Sequence, residues 1–532
     1  MKLYKITAIL ISVAVFLSLS GCKNNEVEST SSLANTVQEV SYKSYITLLY
    51  SASDTFNPYT AKTSTNRQLC SLLYEPLVKL DNEFNAVLNI ADSVETEGKI
   101  CTVNLKKITF SDGSNVTASD VVYSYNLAVS TSATYSAKLY EVVSVSAASS
   151  NTVIFKLSKA DPYFINVLHF PIIKAQSDKI TDSDGVVQSP IGCGRYKLSE
   201  DMSMLVRNDK FFEPGGDIKE VHLIDAPETE SVSHFIEIGA ADMYYSDISD
   251  GKILRMSGKK VSVNLNNLVY MGINQKYGNL SENLLRQALS AGIDREEICS
   301  SAYYNNAIVA KGFFNPVWSP VKSVQNIETE SNIEITIENL ENIGYNSINS
   351  DGCRTNINGT QLKYNLLVNS ENSYRLSAAK LIASQLAKYG IKINIVEKPY
   401  DKYLESLISG DFQLYLAEVM ISENMDISNL VVEGGSVAFS ISNTNTQENV
   451  TAAKGENSTI QENSKTLADV INGFYGGTNT ITDVASVLQN EMPIIPVCYR
   501  TGVLFYNENI ENVNNFSAND IYFSIASYKF KK

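Results

Sequence analysis

The sequence predicts an α/β protein with more than one domain. The clearest evidence is the stretch 362–396, in which a predicted strand, a helix over 373–389 that ends at Gly390, and a second strand follow one another. A strand, a turn and a helix also follow one another over 101–128. The chain has 532 residues, of which 44% are hydrophobic and 19% charged, so two or three globular domains are expected.

The βαβ stretch predicts a pair of parallel strands, because the intervening helix connects them as a right-handed crossover. Its second strand, 391–396, alternates isoleucines with polar residues. A shorter helix over 401–410 and a strand over 412–416 follow. A domain with this repetition binds its ligands at the ends of its strands.

The earlier strand–turn–helix unit carries a helix-capping pattern. The turn is Ser111-Asp112-Gly113-Ser114, and Thr117 is predicted to cap the helix, with Asp120 three residues further on as a capping box requires. Before it, Tyr45–Tyr50 is predicted to be a strand, followed by a loop over 51–65. The region therefore predicts a second α/β unit.

Charge and motif content argue against several functions. The net charge of −15 disfavours nucleic acid and electrostatic docking to anionic lipid. The three histidines, His169, His222 and His234, lack metal-ligand spacing, and neither Gly-x-Ser-x-Gly nor His-Glu-x-x-His occurs. Gly192 and Gly194 indicate a tight turn, because the third glycine and the helix of a nucleotide site are missing. We therefore expect no catalytic residue, no metal and no cofactor.

The N-terminus has the pattern of a secretion signal. Lys2 and Lys5 precede an apolar run over 6–19, which is too short to span a membrane comfortably. The ending Leu19-Ser20-Gly21-Cys22 resembles a bacterial lipobox, which implies removal of residues 1–21 and acyl chains such as palmitate on Cys22. An ordinary cleaved signal is the alternative. Residues 22–41 are polar and predict a flexible tether with a reach of roughly 25 Å.

Six further cysteines follow Cys22, at positions 70, 101, 193, 299, 353 and 498. An exported protein can form disulfides, but their connectivity does not follow from the sequence. Three disulfides and six buried thiols are both consistent with this pattern.

Two separate segments resemble the family 5 extracellular solute-binding proteins, which include the oligopeptide- and dipeptide-binding components of ABC importers. The first runs from Leu73-Tyr74-Glu75-Pro76-Leu77-Val78 to Phe110-Ser111-Asp112-Gly113, Val116-Thr117-Ala118 and Asp120-Val121-Val122-Tyr123-Ser124. The second runs from Arg286-Gln287-Ala288-Leu289 to Ile293-Asp294-Arg295. The resemblance implies a periplasmic-binding-protein-like α/β fold, with two lobes joined by a hinge and the three-subdomain architecture of the peptide-binding type.

The resemblance also implies a division into domains. Residues 42–73, 190–269 and 491–532 are expected to form the core domain of lobe 1, and residues 74–189 an extra domain of that lobe. Residues 270–490 are expected to form lobe 2 as an α/β domain.

Candidate ligand-binding residues come from the same resemblance. In the family, small polar residues corresponding to Thr63, Ser64 and Thr65 approach the ligand, and we add Tyr270 as a candidate. Peptide-binding members often carry Gly-Trp-x-x-Asp, whose Asp pairs with the free amino group of the peptide. Those positions fall in a predicted loop, whose candidates are Glu418, Val419, Met420, Ser422 and Glu423.

The anchoring Asp of that motif is missing here, or Glu418, Glu423 or Asp426 replaces it. The loop is alternatively a plain surface connection. The predicted function is that of a lipid-anchored, monomeric substrate-binding protein of an ABC importer, on the outer face of the cell membrane or in the periplasm. Its partners are oligopeptides and permease subunits. The alternatives are an oligosaccharide, a metal chelate, or a surface lipoprotein that senses a ligand without import.

Overall fold

The computed structural model describes residues 41–227, 229–249, 258–324, 327–442 and 465–532. The predicted signal peptide, Cys22 and the tether up to residue 40 lie outside the described residues. Residues 42–532 form one compact unit.

The two longest strands of the described residues are β13 and β20, with 15 and 13 residues. In chain order they are β1 Tyr42–Lys43, β2 Tyr45–Tyr50, β3 Val78–Leu80, β4 Ala86–Leu88, β5 Ala91–Glu97, β6 Ile100–Leu105, β7 Val142–Ala147, β8 Thr152–Leu157, β9 Tyr196–Leu198, β10 Met204–Arg207, β11 Glu220–Asp225, β12 Met243–Ser246, β13 Lys259–Ile273, β14 Ala307–Val309, β15 Ser347–Ile348, β16 Arg354–Thr355, β17 Lys363–Asn369, β18 Lys392–Lys398, β19 Leu414–Met420, β20 Ile494–Tyr506, β21 Ile510–Glu511 and β22 Lys529–Lys531.

The helices of the described residues are mostly amphipathic and short. In chain order they are α1 Ser64–Leu73, α2 Ala118–Thr131, α3 Ala133–Lys138, α4 Thr229–Glu237, α5 Asn283–Ala291, α6 Arg295–Glu297, α7 Ile333–Asn342, α8 Ser373–Ala387, α9 Tyr400–Ser409, α10 Ser428–Val431, α11 Leu467–Tyr475 and α12 Ile481–Glu491.

Both predicted local units are present. Strands β17 and β18, which precede and follow α8 in the sequence, pair with each other in parallel. Gly390, shortly after the end of α8, has a φ of 77°. Helix α2 begins after Thr117, whose backbone N–H donates to Asp120 Oδ2 at 2.9 Å in a capping box. These findings confirm the α/β class.

Strand β19 differs from its prediction. It continues to Met420 instead of ending at Leu416, because Glu418, Val419 and Met420 pair with Val269, Leu268 and Asn267 of β13. The prediction that these three candidates lie in a loop is therefore wrong. Pairing with a distant strand is a tertiary interaction, which the local pattern does not contain.

Three large hydrophobic cores, with a small fourth one around Leu49 and Ile236, organise the described part of the unit. We call the first the terminal core because it combines residues from both ends of the unit, such as Ile46 and Phe530. The insert core lies between Leu77 and Cys193 in sequence. The large core, represented by Leu366, packs around the largest sheet, whose strand order is β12-β20-β13-β19-β17-β18 with β14 beside β20.

Strands β13 and β20 connect the terminal core to the large core. Val263 of β13 lies in the terminal core, and Met271 of the same strand lies in the large core. Between them the pairing is interrupted: Asn264 faces Thr501 and Leu268 faces Tyr499, so residues 265–267 face Arg500 alone. Such a bulge bends and twists the strand pair. The connection between the two cores is therefore bent at residues 265–267, which we call the bulge.

The six described cysteines, at positions 70, 101, 193, 299, 353 and 498, are buried free thiols. Burial raises the pKa of Cys101 to about 11 and that of Cys193 to about 12. Protonated, buried thiols are poor nucleophiles. The structure thus agrees with the thiol alternative.

Candidate functional site

A cleft of 510 Å³ lies at the bulge, where residues of the terminal core meet Met420 at the end of β19. Helix α1 contributes Ser64, Arg67, Gln68 and Ser71 to the lining, and α3 contributes Lys138. The strands contribute Asp247 after β12, Leu265 and Asn267 of the bulge, and Met420 at the end of β19. Ala518, Asn519 and Asp520 near the C-terminus complete this part of the lining. Its volume is within the usual range of small-molecule sites.

Tyrosines form much of the apolar wall of the cleft. Tyr59 and Tyr74 line it and are 4% and 2% exposed. Burial raises the pKa of both well above its ordinary value, so the hydroxyl groups stay protonated. Each hydroxyl donates to a backbone carbonyl, that of Tyr59 to Pro171 and that of Tyr74 to Pro190. These residues therefore support the wall of the cleft and expose little ring surface, with their hydroxyl groups already engaged.

Two of the cationic side chains in the lining have carboxylate partners. Lys79 Nζ lies 2.9 Å from Glu75 Oε2 and 3.2 Å from Asp520 Oδ2. Lys138 Nζ lies 2.5 Å from Glu423 Oε1. Arg67 is exposed and forms no ion pair with any residue of the described ranges.

Arg500 fixes the bulge and the segment after β12. Its guanidinium lies 2.8 Å from Glu418 Oε1 of β19 and also donates to the backbone carbonyl of Asp247. Asn267 donates to the same Glu418 oxygen at 2.8 Å. Arg500 is 4% exposed, so Glu418 supplies the counter-charge that burial requires. Glu418 therefore holds Arg500, and through it Asp247, in place.

Residues 421–426, which follow β19, form a second polar contact with helix α3 and the insert region. We call them the clasp segment. Its Glu423 pairs with Lys138, and both side chains are 6% exposed. Burial raises the pKa of Glu423, but Lys138 and His169 outweigh burial and hold that pKa well below its usual range. Burial and the Lys138 charge lower the pKa of His169, so its ring is neutral at pH 7.

The clasp segment continues through Asn424 and Asp426. Asn424 Nδ2 donates to Asp161 Oδ2 at 2.8 Å, and Asp426 Oδ2 lies 2.6 Å from Lys159 Nζ. Tyr140 donates its hydroxyl proton to the same Asp426 oxygen at 2.7 Å. Burial raises the pKa of Asp426, but Lys159 outweighs burial and holds that pKa at about 2. This contact is a network of ion pairs and hydrogen bonds, in which Glu423 Oε2 and Ser422 Oγ are buried without a hydrogen-bond partner among the described residues.

Only two of the residues predicted to bind ligand lie in the lining of the cleft. Ser64 and Met420 line the cleft. Thr63 is the N-cap of α1 and accepts from Asn66 N at 3.3 Å, while its hydroxyl donates to Asp54 at 2.7 Å. Thr65 lies on α1, so the predicted loop ends at Thr63 instead of Thr65.

The other predicted residues lie away from the cleft lining. Tyr270 is 2% exposed, with its ring 5.8 Å from that of Tyr415 in the large core. Val419 is half-buried within β19. Ser422 and Glu423 belong to the clasp segment, and Glu423 is paired as described. Glu418, Glu423 and Asp426, the three carboxylates considered as amine anchors, all have cationic partners within the chain.

Sequence reasoning missed the polar stripe of α1. Ser64, Arg67, Gln68 and Ser71 all line the cleft and follow the helical spacing i, i+3, i+4, i+7. That spacing could have indicated a polar face of the helix, but only if the predicted helix had started at Ser64 instead of Asn66. Asp247 carries no comparable signal, because it follows a short strand.

Two further cavities lie away from the bulge. One of 310 Å³ is lined by residues around Phe313 and Lys322, and one of 550 Å³ by residues of α5 and α12. Neither is lined by residues of the terminal core, which contribute Tyr59 and Tyr74 to the cleft at the bulge. Among the described residues, no group of three or more His, Cys, Asp or Glu side chains is placed to hold a metal ion. In that same part of the chain, no helix has the length and apolar character that a membrane crossing requires.

Comparison with known proteins decides the family. The sequence profile described as bacterial extracellular solute-binding proteins, family 5 middle, matches residues 85–432. The chain belongs to this family. Its members are binding proteins that work in transport, which agrees with the architecture found here.

A curated relative and several solved structures resemble this chain over most of its length. The oligopeptide-binding protein AppA of Bacillus subtilis is 25% identical over 422 residues, which cover 74% of this chain and 76% of the relative. The unliganded open form of the periplasmic murein tripeptide-binding protein MppA superposes with a TM-score of 0.72 at 19% identity, covering 93% and 98% of the two chains. NikA of Brucella suis in complex with Fe(III)-EDTA superposes with a TM-score of 0.64 at 17% identity, covering 91% and 100%. The solved structures share the fold.

Proposed function

We propose that this chain captures peptides outside the cytoplasmic membrane and delivers them to the permease of an ABC importer. The supporting observation is the cleft at the bulge of β13 and β20. These two strands connect the terminal core to the large core, and their bulge lines the cleft. A ligand in the cleft contacts helix α1, which packs in the terminal core, and Met420 of β19 in the largest sheet at once, so it favours the conformation in which these elements close over it. The family and the oligopeptide-binding relative favour a peptide ligand.

The cleft suits an extended peptide of variable sequence. Its lining includes the polar stripe of α1 and the side chain of Asn267. Polar groups of this kind bind a peptide backbone, while a wet, roomy cleft tolerates different side chains. We expect binding without turnover and a monomer in solution. The proposed domains are those given above: residues 42–73, 190–269 and 491–532, residues 74–189, and residues 270–490.

Native mass spectrometry of the chain from Lys23 onward, purified without refolding, tests the ligand class. A distribution of bound masses that fragment as short peptides supports the proposal. A single defined mass that is not a peptide, or a protein that peptide mixtures do not stabilise against heat, contradicts it. A bound chelate or sugar would then define another solute, and a gene without a neighbouring permease and ATPase would favour ligand sensing.

We also propose that acyl chains on Cys22 hold the protein at the membrane, with residues 1–21 removed and residues 22–41 acting as a tether. The basis is the sequence Leu19-Ser20-Gly21-Cys22. Cells fed labelled palmitate are expected to label the wild-type protein and not the Cys22→Ala variant, which should appear in the soluble fraction. Equal labelling of both, or retention of the unlabelled variant at the membrane, would contradict the anchor.

A further inference from the structure

The cleft contains two charged side chains of opposite sign that no described residue neutralises. Arg67 and Asp247 both line it and both are exposed. The other cations of the lining, Lys79 and Lys138, lie 2.5–3.2 Å from carboxylates of the chain. The cleft therefore presents one free cation and one free anion to a ligand.

Arg67 is held by a helix that is firmly packed. Leu69 and Leu72 of α1 are buried in the terminal core, which fixes the opposite face of the helix toward the cleft. Ser64, Gln68 and Ser71 surround Arg67 on that face. A guanidinium binds a carboxylate through two parallel hydrogen bonds. Of its neighbours, Ser71 Oγ donates to Gln68 O at 2.9 Å and Gln68 Nε2 donates to Ala518 O at 3.3 Å.

Asp247 is fixed by backbone contacts that leave carboxylate capacity free. Arg500 donates to its carbonyl oxygen, and Ser249 N donates to its Oδ1 at 3.0 Å. The positive charge of Arg500 is offset by Glu418 at 2.8 Å. The group of Arg500, Glu418 and Asp247 therefore keeps a net charge of −1, which is exposed to the cleft at Asp247.

We infer that Arg67 binds the terminal carboxylate of a peptide and that Asp247 binds its terminal ammonium group. The inference rests on the peptide-binding function proposed above and specifies its ligands as peptides with both ends free. Closure of the cleft would remove water from both ion pairs and strengthen them, because Coulomb interactions grow as the local dielectric falls. The paired carboxylates Glu418, Glu423 and Asp426 take no part in this recognition.

Calorimetric titration with blocked peptides tests the assignment. The probes are a pool of tripeptides of mixed sequence, the same pool with acetylated N-termini, and the same pool with amidated C-termini. For the wild-type protein, either modification is expected to weaken binding about tenfold or more, since each removes a charge-assisted contact. The Asp247→Asn variant should lose the effect of acetylation alone, and the Arg67→Gln variant the effect of amidation alone.

Matched variants control for general charge effects. Asp411→Asn and Lys402→Gln remove exposed charges whose side chains are 83% and 69% accessible, outside the cleft lining. Both should keep the two penalties of the wild-type protein. If the free pool binds but neither modification weakens it, or both penalties survive in the Arg67 and Asp247 variants, the inference is overturned and peptide binding stands. If no peptide pool binds the wild-type protein, the proposed function fails and the inference fails with it.

Discussion

The clasp segment and the cleft are both polar contacts between distant parts of the chain, but they satisfy their charges differently. In the clasp segment, Glu423 and Asp426 each meet a lysine at 2.5–2.6 Å, and their side chains are 6% and 2% exposed. In the cleft, Arg67 and Asp247 are exposed and unpaired within the described ranges. The carboxylates of the first region have cationic partners within the chain, whereas the two charges of the second form no ion pair among the described residues.

This difference indicates which region holds the structure together and which one binds. A buried charge is costly unless it is paired, so the clasp segment requires its partners at all times. An exposed charge is solvated in the free protein and exchanges water for a ligand. The position of Glu423 and Asp426 near a predicted motif was therefore weaker evidence for ligand binding than the unpaired charges of Arg67 and Asp247 in one cleft.

Removing one partner of the clasp ion pair is the strongest test. Lys138→Met should lower the free energy of unfolding by about 3–5 kcal/mol in urea denaturation, because it leaves Glu423 buried without its cation. The double variant Lys138→Met, Glu423→Met should recover most of that loss, since no charge then remains buried. Lys402→Met is the exposed control. A single variant as stable as this control would show that the clasp pair is not a stabilising contact.

A variant of the Arg500–Glu418 pair tests whether this ion pair at the bulge stabilises the fold or binds the ligand directly. Glu418→Gln should lower the free energy of unfolding by about 2 kcal/mol, because Arg500 is left nearly buried without a counter-charge. It should also weaken peptide binding indirectly, since Arg500 positions Asp247. Loss of affinity at unchanged stability would instead favour Glu418 as a direct ligand anchor, as the sequence had suggested.

The clasp region should make stability fall as the pH rises from about 4 to about 7. Burial raises the pKa of Asp161 to about 6, and burial, against the opposing Lys159 charge, raises that of Glu141 to about 7. The folded state thus binds these protons more tightly than the unfolded state, so their contribution is full below the unfolded pKa values, near pH 4, and is lost as the pH rises through the folded ones.

Thermal unfolding across this pH range provides the measurement. The melting temperature should drop by a few degrees for the wild-type protein and less for the variant Asp161→Asn, Glu141→Gln. The lowered pKa of Asp426, about 2, acts in the opposite sense and matters only in stronger acid. An equal drop in the variant would locate the responsible groups elsewhere.

The smallest expected effects are those of substitutions at Thr63 and Ser64, the two neighbouring residues at the start of α1. Thr63→Ala should lower the free energy of unfolding by about 1 kcal/mol through loss of the N-cap, without changing peptide affinity. Ser64→Ala should change stability by less than about 0.5 kcal/mol and weaken binding about twofold to fivefold. Reversed effects would mean that Thr63 contacts the ligand and Ser64 supports the helix.

Local patterns predicted much of the fold. The capping box of Thr117 and the βαβ unit of β17, α8 and β18 depend on residues close in sequence, so periodicity and capping chemistry were sufficient to find them. The expectation of a two-lobed architecture came from the resemblance to family 5 and not from local patterns. The end of β19 was missed because its last residues are held by β13, about 150 residues away in sequence.

The sequence by itself determined the α/β class, the local units and the membership in a family of solute-binding proteins. It did not determine which of its many charged residues bind ligand. Glu423 and Asp426 look as available in the sequence as Arg67 and Asp247. Only the tertiary structure brings Lys138 and Lys159 to the first two and leaves the other two facing a cleft. The availability of a charge depends on its partners in space, and the sequence does not list those partners.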